Sequence, residues 1–447
     1  MSLQELAGEV VRLALNEGAT DAECTISEGE EFSASVRMGE VESLKEAGAQ
    51  GAGVRVLKGK RSGSAYTSDL SRDGIARMVS SALELAAITS EDPHAGLPEA
   101  SELGAIDGDL ALYCDDVAHL ETPFKIEQAR QAEKAALDFD SRIANSEGAS
   151  FDSHAGARYF ANSRGFSGSY RTSSCSMSAV PVASDGEKME RDYWFSVARS
   201  YSRLEEPAYI GRKAAERALR RLGARKVPTQ RVPVVFEPRT ARSMLDHIFE
   251  AVSGDSIYRK ASFLTDKIGE QVAAEQLTAI DDSTIPGLFG TSPFDDEGVP
   301  SRRTVVIERG VLKSYLLNSY TARKLGLKTT GNAARGLSGN AGIGHGNLFI
   351  DNGAQKPEDI LRSIKQGLYV TELIGFGVNI VTGDYSRGAV GLWIENGELA
   401  YPVSEVTIAG NLGEMLKGIE AVGSDLEFRG SVAAPTLMIR EMTVSGH

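Results

Sequence analysis

Histidine is scarce in this chain, with 6 in 447 residues, and no two histidines stand at a metal-ligand spacing. Cysteine is scarcer still. Cys24, Cys114 and Cys175 lie far apart with no Cys-x-x-Cys pair, which argues against a disulfide framework and fits a reducing compartment. No Walker A loop and no Gly-x-Ser-x-Gly elbow is present; the segment GFSGS (Gly165–Ser169) has the wrong order. The run Gly342-Ile343-Gly344-His345-Gly346 does not match a dinucleotide fingerprint. No apolar run approaches the ~20 residues of a membrane-spanning helix. No sustained basic run gathers the Lys and Arg that phosphate contacts need, and a net charge of −14 argues against a polyanionic partner. The one basic concentration, Arg212–Lys226, alternates with Ala and Leu as a solvated helix face does. Glu5 and Glu9 interrupt what would have to be the apolar core of a signal peptide. The expectation is a cytoplasmic protein that binds neither nucleic acid nor membrane.

What is present is ordinary globular composition, with 41% apolar and 25% charged residues, on a chain long enough for two or three cores. Leu3, Leu6, Val10 and Leu13 share one face of an opening helix stopped by Gly18. Short alternating segments follow, with turns at Gly39 and Lys58–Lys60, and read as four or five antiparallel strands. A second helix is expected over Ser71–Ala87, from the spacing of Ile75, Val79, Leu83 and Ala86. After an aperiodic linker, a third helix starts with Thr122 as N-cap and Pro123 at the first helical position. Ser- and Gly-rich alternation from about Ser141 to Tyr201 suggests a sheet with one wet face. The last part carries hairpin signals, the clearest being Asn396-Gly397. The fold class is α+β: an N-terminal helix–antiparallel sheet–helix domain (1–110), a middle α+β segment (111–225), and a C-terminal domain of antiparallel or mixed sheet (226–447).

Three places carry candidate chemistry. In MLDHIFEAVSGDS (Met244–Ser256), Met244, Leu245, Ile248, Phe249 and Val252 form an apolar stripe, while Asp246, His247 and Glu250 lie opposite. This is either an amphipathic helix or one that grips a divalent metal through Asp246, His247 and Glu250, although zinc asks for more nitrogen or sulfur. The glycine-rich run Gly331–Gly353, with Asn332 and Arg335, offers backbone N–H groups to a peptide or anion, or is turn scaffolding. The segment GDYSRGAVG (Gly383–Gly391) puts Asp384, Tyr385, Ser386 and Arg387 between expected strands, as a polar cleft wall or a salt-bridged turn.

Several stretches together resemble the TldD/PmbA family on its PmbA (TldE) side: NEGATDAE, VRMGEVESL, GKRSGSAYTSDLS, DPHAGLP, SFLTDKIGE, TGNAARG, ELIGFGVNIVTGDYSRGAVGLWIENGE and YPVSEVTIAGNL. The resemblance runs from about Asn16 to the C-terminus, and its most specific stretch is Glu372–Leu412. It implies one half of a cytoplasmic two-chain zinc metallopeptidase that cuts unstructured peptides, leader peptides among them. The family's older name, gyrase modulator, fits an indirect effect. In such a pair the TldD-type subunit carries a His-Glu-x-x-x-His helix and a cysteine ligand. Aligning the Gly254-Asp255 exit puts Leu245 at the first His position, Asp246 at the Glu position and Glu250 at the second His position. With no cysteine after Cys175, no catalytic residue and no cofactor is expected in this chain. Zinc belongs to the TldD-type partner, and Asn332, Arg335, Asn379, Asp384 and Arg387 are candidates for the substrate cleft. In isolation a homodimer is compatible with the resemblance. The alternatives are a metallopeptidase in its own right, with Asp246, His247 and Glu250 as an atypical site, and a peptide-binding regulator without proteolysis.

Overall fold

The structure is a computed structural model that describes residues 1–186 and 188–446; His447 lies outside the described residues. The first half is one long sheet. Strands β1 (Asp21–Arg37), β2 (Glu40–Lys58), β3 (Arg61–Thr67), β4 (Ile143–Asn162), β5 (Ser167–Ser184) and β6 (Met189–Arg191) run in the order β3-β2-β1-β4-β5-β6, and β7 (Trp194–Ala198) also pairs with β5. Every pairing is antiparallel. The segment expected to hold four or five strands holds three, because β1 and β2 stay paired through stretches where apolar alternation lapses. Backbone ladders continue wherever N–H and C=O groups match, whatever the side chains do. The turns fall as read, with positive φ at Gly39 and Gly59.

Helices α1 (Leu3–Asn16) and α2 (Arg72–Ile88) cover one end of this sheet, against Cys24, Ile26, Val54 and Val56. Helices α3 (Thr122–Leu137) and α4 (Pro207–Leu219) cover the other end, against Phe32, Ala34, Phe151 and Met177. The side-chain period of two puts Cys24, Ile26, Phe32 and Ala34 on the same face, so both helix pairs share it. Local capping agrees with the sequence. Ser2 and Glu5 form a capping box, and Ser71 caps α2. Helix α3 starts one residue earlier than read: Glu121 is its N-cap, and Thr122 already lies inside.

The second half is built on a closed mixed sheet. Strands β8 (Gln230–Phe236), β9 (Gln366–Ile374), β10 (Asp384–Glu395), β11 (Glu398–Asn411), β12 (Ile419–Val422) and β13 (Leu437–Ser445) run in the order β11-β10-β9-β8-β13-β12, and β11 pairs again with β13. Only the β8–β9 neighbours in this sheet are parallel. Asn396 (φ 48°) and Gly397 (φ 85°) turn β10 into β11, the two positive φ values that a type I′ turn demands. Helix α5 (Pro238–Val252) packs its apolar stripe into the core with Val234, Phe236, Leu368 and Val370. No helix of the described residues is long and apolar enough to cross a membrane.

The halves meet where two loops of the second lie on the first sheet's other face. Glu23, fully buried on β1, is paired with Arg55 Nη1 at 2.8 Å and with Arg335. Phe294 packs among Phe160, Phe166 and Tyr170. Gly53 admits the backbone of Leu337: a Cβ there would stand 1.5 Å from the Leu337 carbonyl oxygen. Gly53→Ala is therefore expected to lower stability by about 1–3 kcal/mol through forced displacement of that loop. Gly48→Ala, on the same strand with nothing within 4 Å of its Cβ, supplies the near-neutral control. Urea unfolding of both variants checks this.

The same interface buries acids. Asp295 accepts backbone hydrogen bonds from Glu297, Val299 and Ala333, and Glu297 accepts one from Ser319. Burial, followed by the nearby Glu297 carboxylate, pushes Asp295 up to about 8. The folded protein thus holds a proton that the unfolded chain releases near pH 4. Stability should fall as pH rises from the ordinary carboxylate range through about 8, and then level off. Glu297→Gln removes the like charge and should move that loss to lower pH. Thermal melts between pH 5 and 9 read both effects.

Candidate functional site

Between the halves lies a cleft of about 1060 Å³. Its first-half wall comes from the ends of β4 and β5, from β6, and from the Asp192–Tyr193 segment. Its second-half wall comes from α5, the end of β9, the loop after it, and Arg387 on β10. The lining is charged but mostly self-neutralised. Arg191 pairs with Glu147 at 2.8 Å, Arg221 with Glu372 at 2.5 Å and with Glu190 at 3.4 Å, and Arg239 with Asp192 at 3.4 Å. Phe376, 98% exposed, stands at the rim.

The cleft is held open by a buried charge cluster behind it. Arg217 of α4 reaches Glu237 at 2.7 Å and Asp192 at 3.3 Å, and Arg220 reaches Glu237 at 3.3 Å. Glu237 is the N-cap residue of α5, so the cluster ties α4, the Asp192 turn and α5 together. Burial alone would push the Asp192 carboxyl up, but Arg217 and Arg239 outweigh it and hold it below the usual carboxylate range.

On α5 the apolar and polar faces separate as read. Leu245 is 0% exposed within the core, while Asp246, His247 and Glu250 line the cleft. His247 is pushed down to about 4 by burial and then by the Arg387 charge, so its ring is neutral at pH 7, and its Nε2 is buried without a hydrogen-bond partner. Asp246 touches the water of the cleft, yet the surrounding protein raises its carboxyl. Tyr385 is buried edge-on against His247, with ring centroids 5.9 Å apart, and its hydroxyl is pushed up to about 12 by burial.

The candidates read from the sequence separate here. Arg387 lines the cleft. Asp384, Tyr385, Ser386 and Arg387 are the first residues of strand β10 rather than a loop, because they pair with Asn411, Gly410, Ala409 and Ile408 of β11. Asn379 and Asp384 hold the turn between β9 and β10: Asn379 Oδ1 accepts from Val381 N at 2.9 Å, and Asp384 Oδ2 accepts from Thr382 Oγ1 at 2.7 Å. Asn332 is buried and donates to Asp281 at 2.7 Å, while Arg335 is committed to Glu23, so neither lines the cleft. His345 lies edge-on to Phe249, and His154 sits on β4, in the hairpin that β4 forms with β5. Asp192, Arg239, Arg242 and Phe376 were missed. Nothing local distinguishes them, since the cleft joins segments some 180 residues apart in the chain.

Residues 22–86, 115–222 and 229–446 match in turn the models of the PmbA/TldA metallopeptidase domain 1, central domain and C-terminal domain. A long antiparallel sheet docked on a closed mixed sheet, with a charged cleft between them, is thus the architecture of a metallopeptidase family. The chain belongs to the TldD/PmbA family, on its PmbA branch. It is 41% identical to metalloprotease PmbA of Escherichia coli O157:H7 over 99% of this chain and 96% of that one. It is also 31% identical to a Buchnera aphidicola metalloprotease TldD homolog over 48% of this chain and 45% of the other. A Bacteroides thetaiotaomicron crystal structure, of a candidate modulator of DNA gyrase, superposes with a TM-score of 0.92 at 28% identity, covering 99% of each chain.

Those names imply a metal, and the residues at α5 do not fit zinc. One imidazole stands there beside a guanidinium whose charge opposes a cation. Leu245 is filled in by core, and Cys24 and Cys175 lie in the first-half sheet. Among the described residues no three His, Cys, Asp or Glu side chains gather to hold a metal ion. Leu245→Ala should cost about 2–5 kcal/mol, as for a packed core leucine. A cost near zero in denaturant unfolding would instead place the side chain at the cleft surface.

Proposed function

We propose that this chain is the non-catalytic, PmbA-type subunit of a cytoplasmic two-chain zinc metallopeptidase. It pairs with a TldD-type catalytic chain and forms one wall of the channel that admits unstructured peptides, leader peptides among them. The observation that carries this reading is helix α5: in a member of a metallopeptidase family, the helix has amphipathic packing but offers one uncharged imidazole where zinc needs several ligands. The cleft supports the same reading. Its charges are largely paired and its rim carries an exposed aromatic, a surface suited to extended peptide rather than to polyanion.

An active metallopeptidase using Asp246, His247 and Glu250 is the competing reading. Elemental analysis of the dialysed chain separates the two, combined with co-purification against a TldD-type partner. The expected result is less than about a tenth of an equivalent of zinc in this chain, a stable complex, and chelator-sensitive peptide hydrolysis only when both chains are present. Near one tightly held equivalent, lost together with hydrolysis in His247→Ala, would overturn the non-catalytic assignment.

A further inference from the structure

We propose that the cleft floor is a carboxylate-binding subsite, centred on the Arg387 guanidinium beside the His247 imidazole, which takes the C-terminal carboxylate or an acidic side chain of a bound peptide. This deepens the channel reading above and rests on it.

Among the described residues two guanidiniums of the cleft lack a carboxylate within 4 Å, Arg242 and Arg387; Arg242 is exposed, whereas Arg387 is half-buried. Arg37, Arg191, Arg221 and Arg239 each have a carboxylate within 4 Å, from Glu42, Glu147, Glu372 and Asp192 respectively. Arg387 has none among the described residues, and its Nε is buried without a hydrogen-bond partner. A guanidinium stays charged at any physiological pH, and drawing it partly out of water without an anion is costly. A ligand carboxylate would supply the missing counter-charge through bidentate hydrogen bonds.

The buried, unpartnered Nε2 of His247 is a second unsatisfied polar atom at the same place. Being neutral, this ring can hydrogen-bond a ligand without adding charge. Asp246 and Glu250 also face this region from α5. Neither comes within ion-pair distance of Arg387. Burial raises the Asp246 carboxyl, and of the charges that act against this, Arg242, one turn before it on the same helix, comes ahead of Arg387. Arg387 is therefore left without an ion-pair partner among the described residues, and a ligand carboxylate would supply one.

The test uses the isolated full chain and three capped tetrapeptides: N-acetyl-tetraalanine as the free acid, the same peptide as its C-terminal amide, and N-acetyl-Ala-Ala-Asp-Ala amide. Calorimetric titration should show the free acid, the Asp peptide or both binding about tenfold or more tighter than the neutral amide, the scale of a hydrogen-bonded charge. Whichever binds identifies the source of the carboxylate. The preference should vanish in Arg387→Gln, persist in weakened form in Arg387→Lys, and be accompanied by shifts of the His247 ring resonances in NMR spectra. Equal binding of all three peptides to the unmodified chain, or a preference that survives Arg387→Gln, overturns the subsite. If a TldD-type complex forms and cuts peptides while no carboxylate preference exists, the subsite falls and the peptidase reading stands. If the preference is present but no complex forms, the subunit reading falls instead.

Discussion

The geometry of the cleft depends on the buried cluster of Asp192, Arg217 and Glu237. Each residue comes from a different element: the turn after β6, helix α4, and the start of α5. Side chains this short of water must be matched with care, since a buried ion pair repays its desolvation only in good geometry. Such a cluster adds little net stability compared with a packed apolar core. What it adds is selectivity. Sliding α5 by a fraction of a turn would separate Glu237 from Arg217 and Arg220 and leave its carboxylate buried and unpaired, at a cost of about 3–5 kcal/mol. The position of α5 against the first-half sheet is therefore sharply defined, and with it the spacing between the cleft walls.

A second buried contact works from the opposite side. Glu23 on β1 gathers Arg55 from the same sheet and Arg335 from the second half. The loop that carries Arg335 also passes over Gly53 at backbone distance. Two charge contacts from separate loops, on different parts of the first-half sheet, restrain rotation better than either does alone. The cleft is in consequence a feature of the folded chain.

Much of this fold was legible in the sequence, for local reasons. The helices over Leu3–Asn16 and Arg72–Ile88 follow from apolar spacing and serine caps, and the β10–β11 turn from an Asn-Gly pair, which readily takes two positive φ values. The amphipathic split of α5 was equally readable. The length of β1 and β2 was not, because pairing partners rather than alternation decide where a ladder ends. The segment Asp384–Arg387 looked like a loop for its glycines and polar residues, yet its partner is β11, whose pairing no short window reveals. Asn332 and Arg335 had the residue types of a binding site and proved committed to Asp281 and Glu23. A polar residue in a glycine-rich run carries the same signal whether it meets a ligand or a buried partner.

The two faces of the α5 helix are under different constraints. The helix must still bury Met244, Leu245, Ile248 and Val252, so its register and length stay constrained by the core. Its polar face is under no such constraint. Asp246, His247 and Glu250 lie at the cleft, where burial first and the Arg387 charge second keep the imidazole uncharged. A field that repels a metal ion attracts an anion. The Arg387 charge that stands against a metal ion at this helix is thus the same charge that the proposed carboxylate subsite uses.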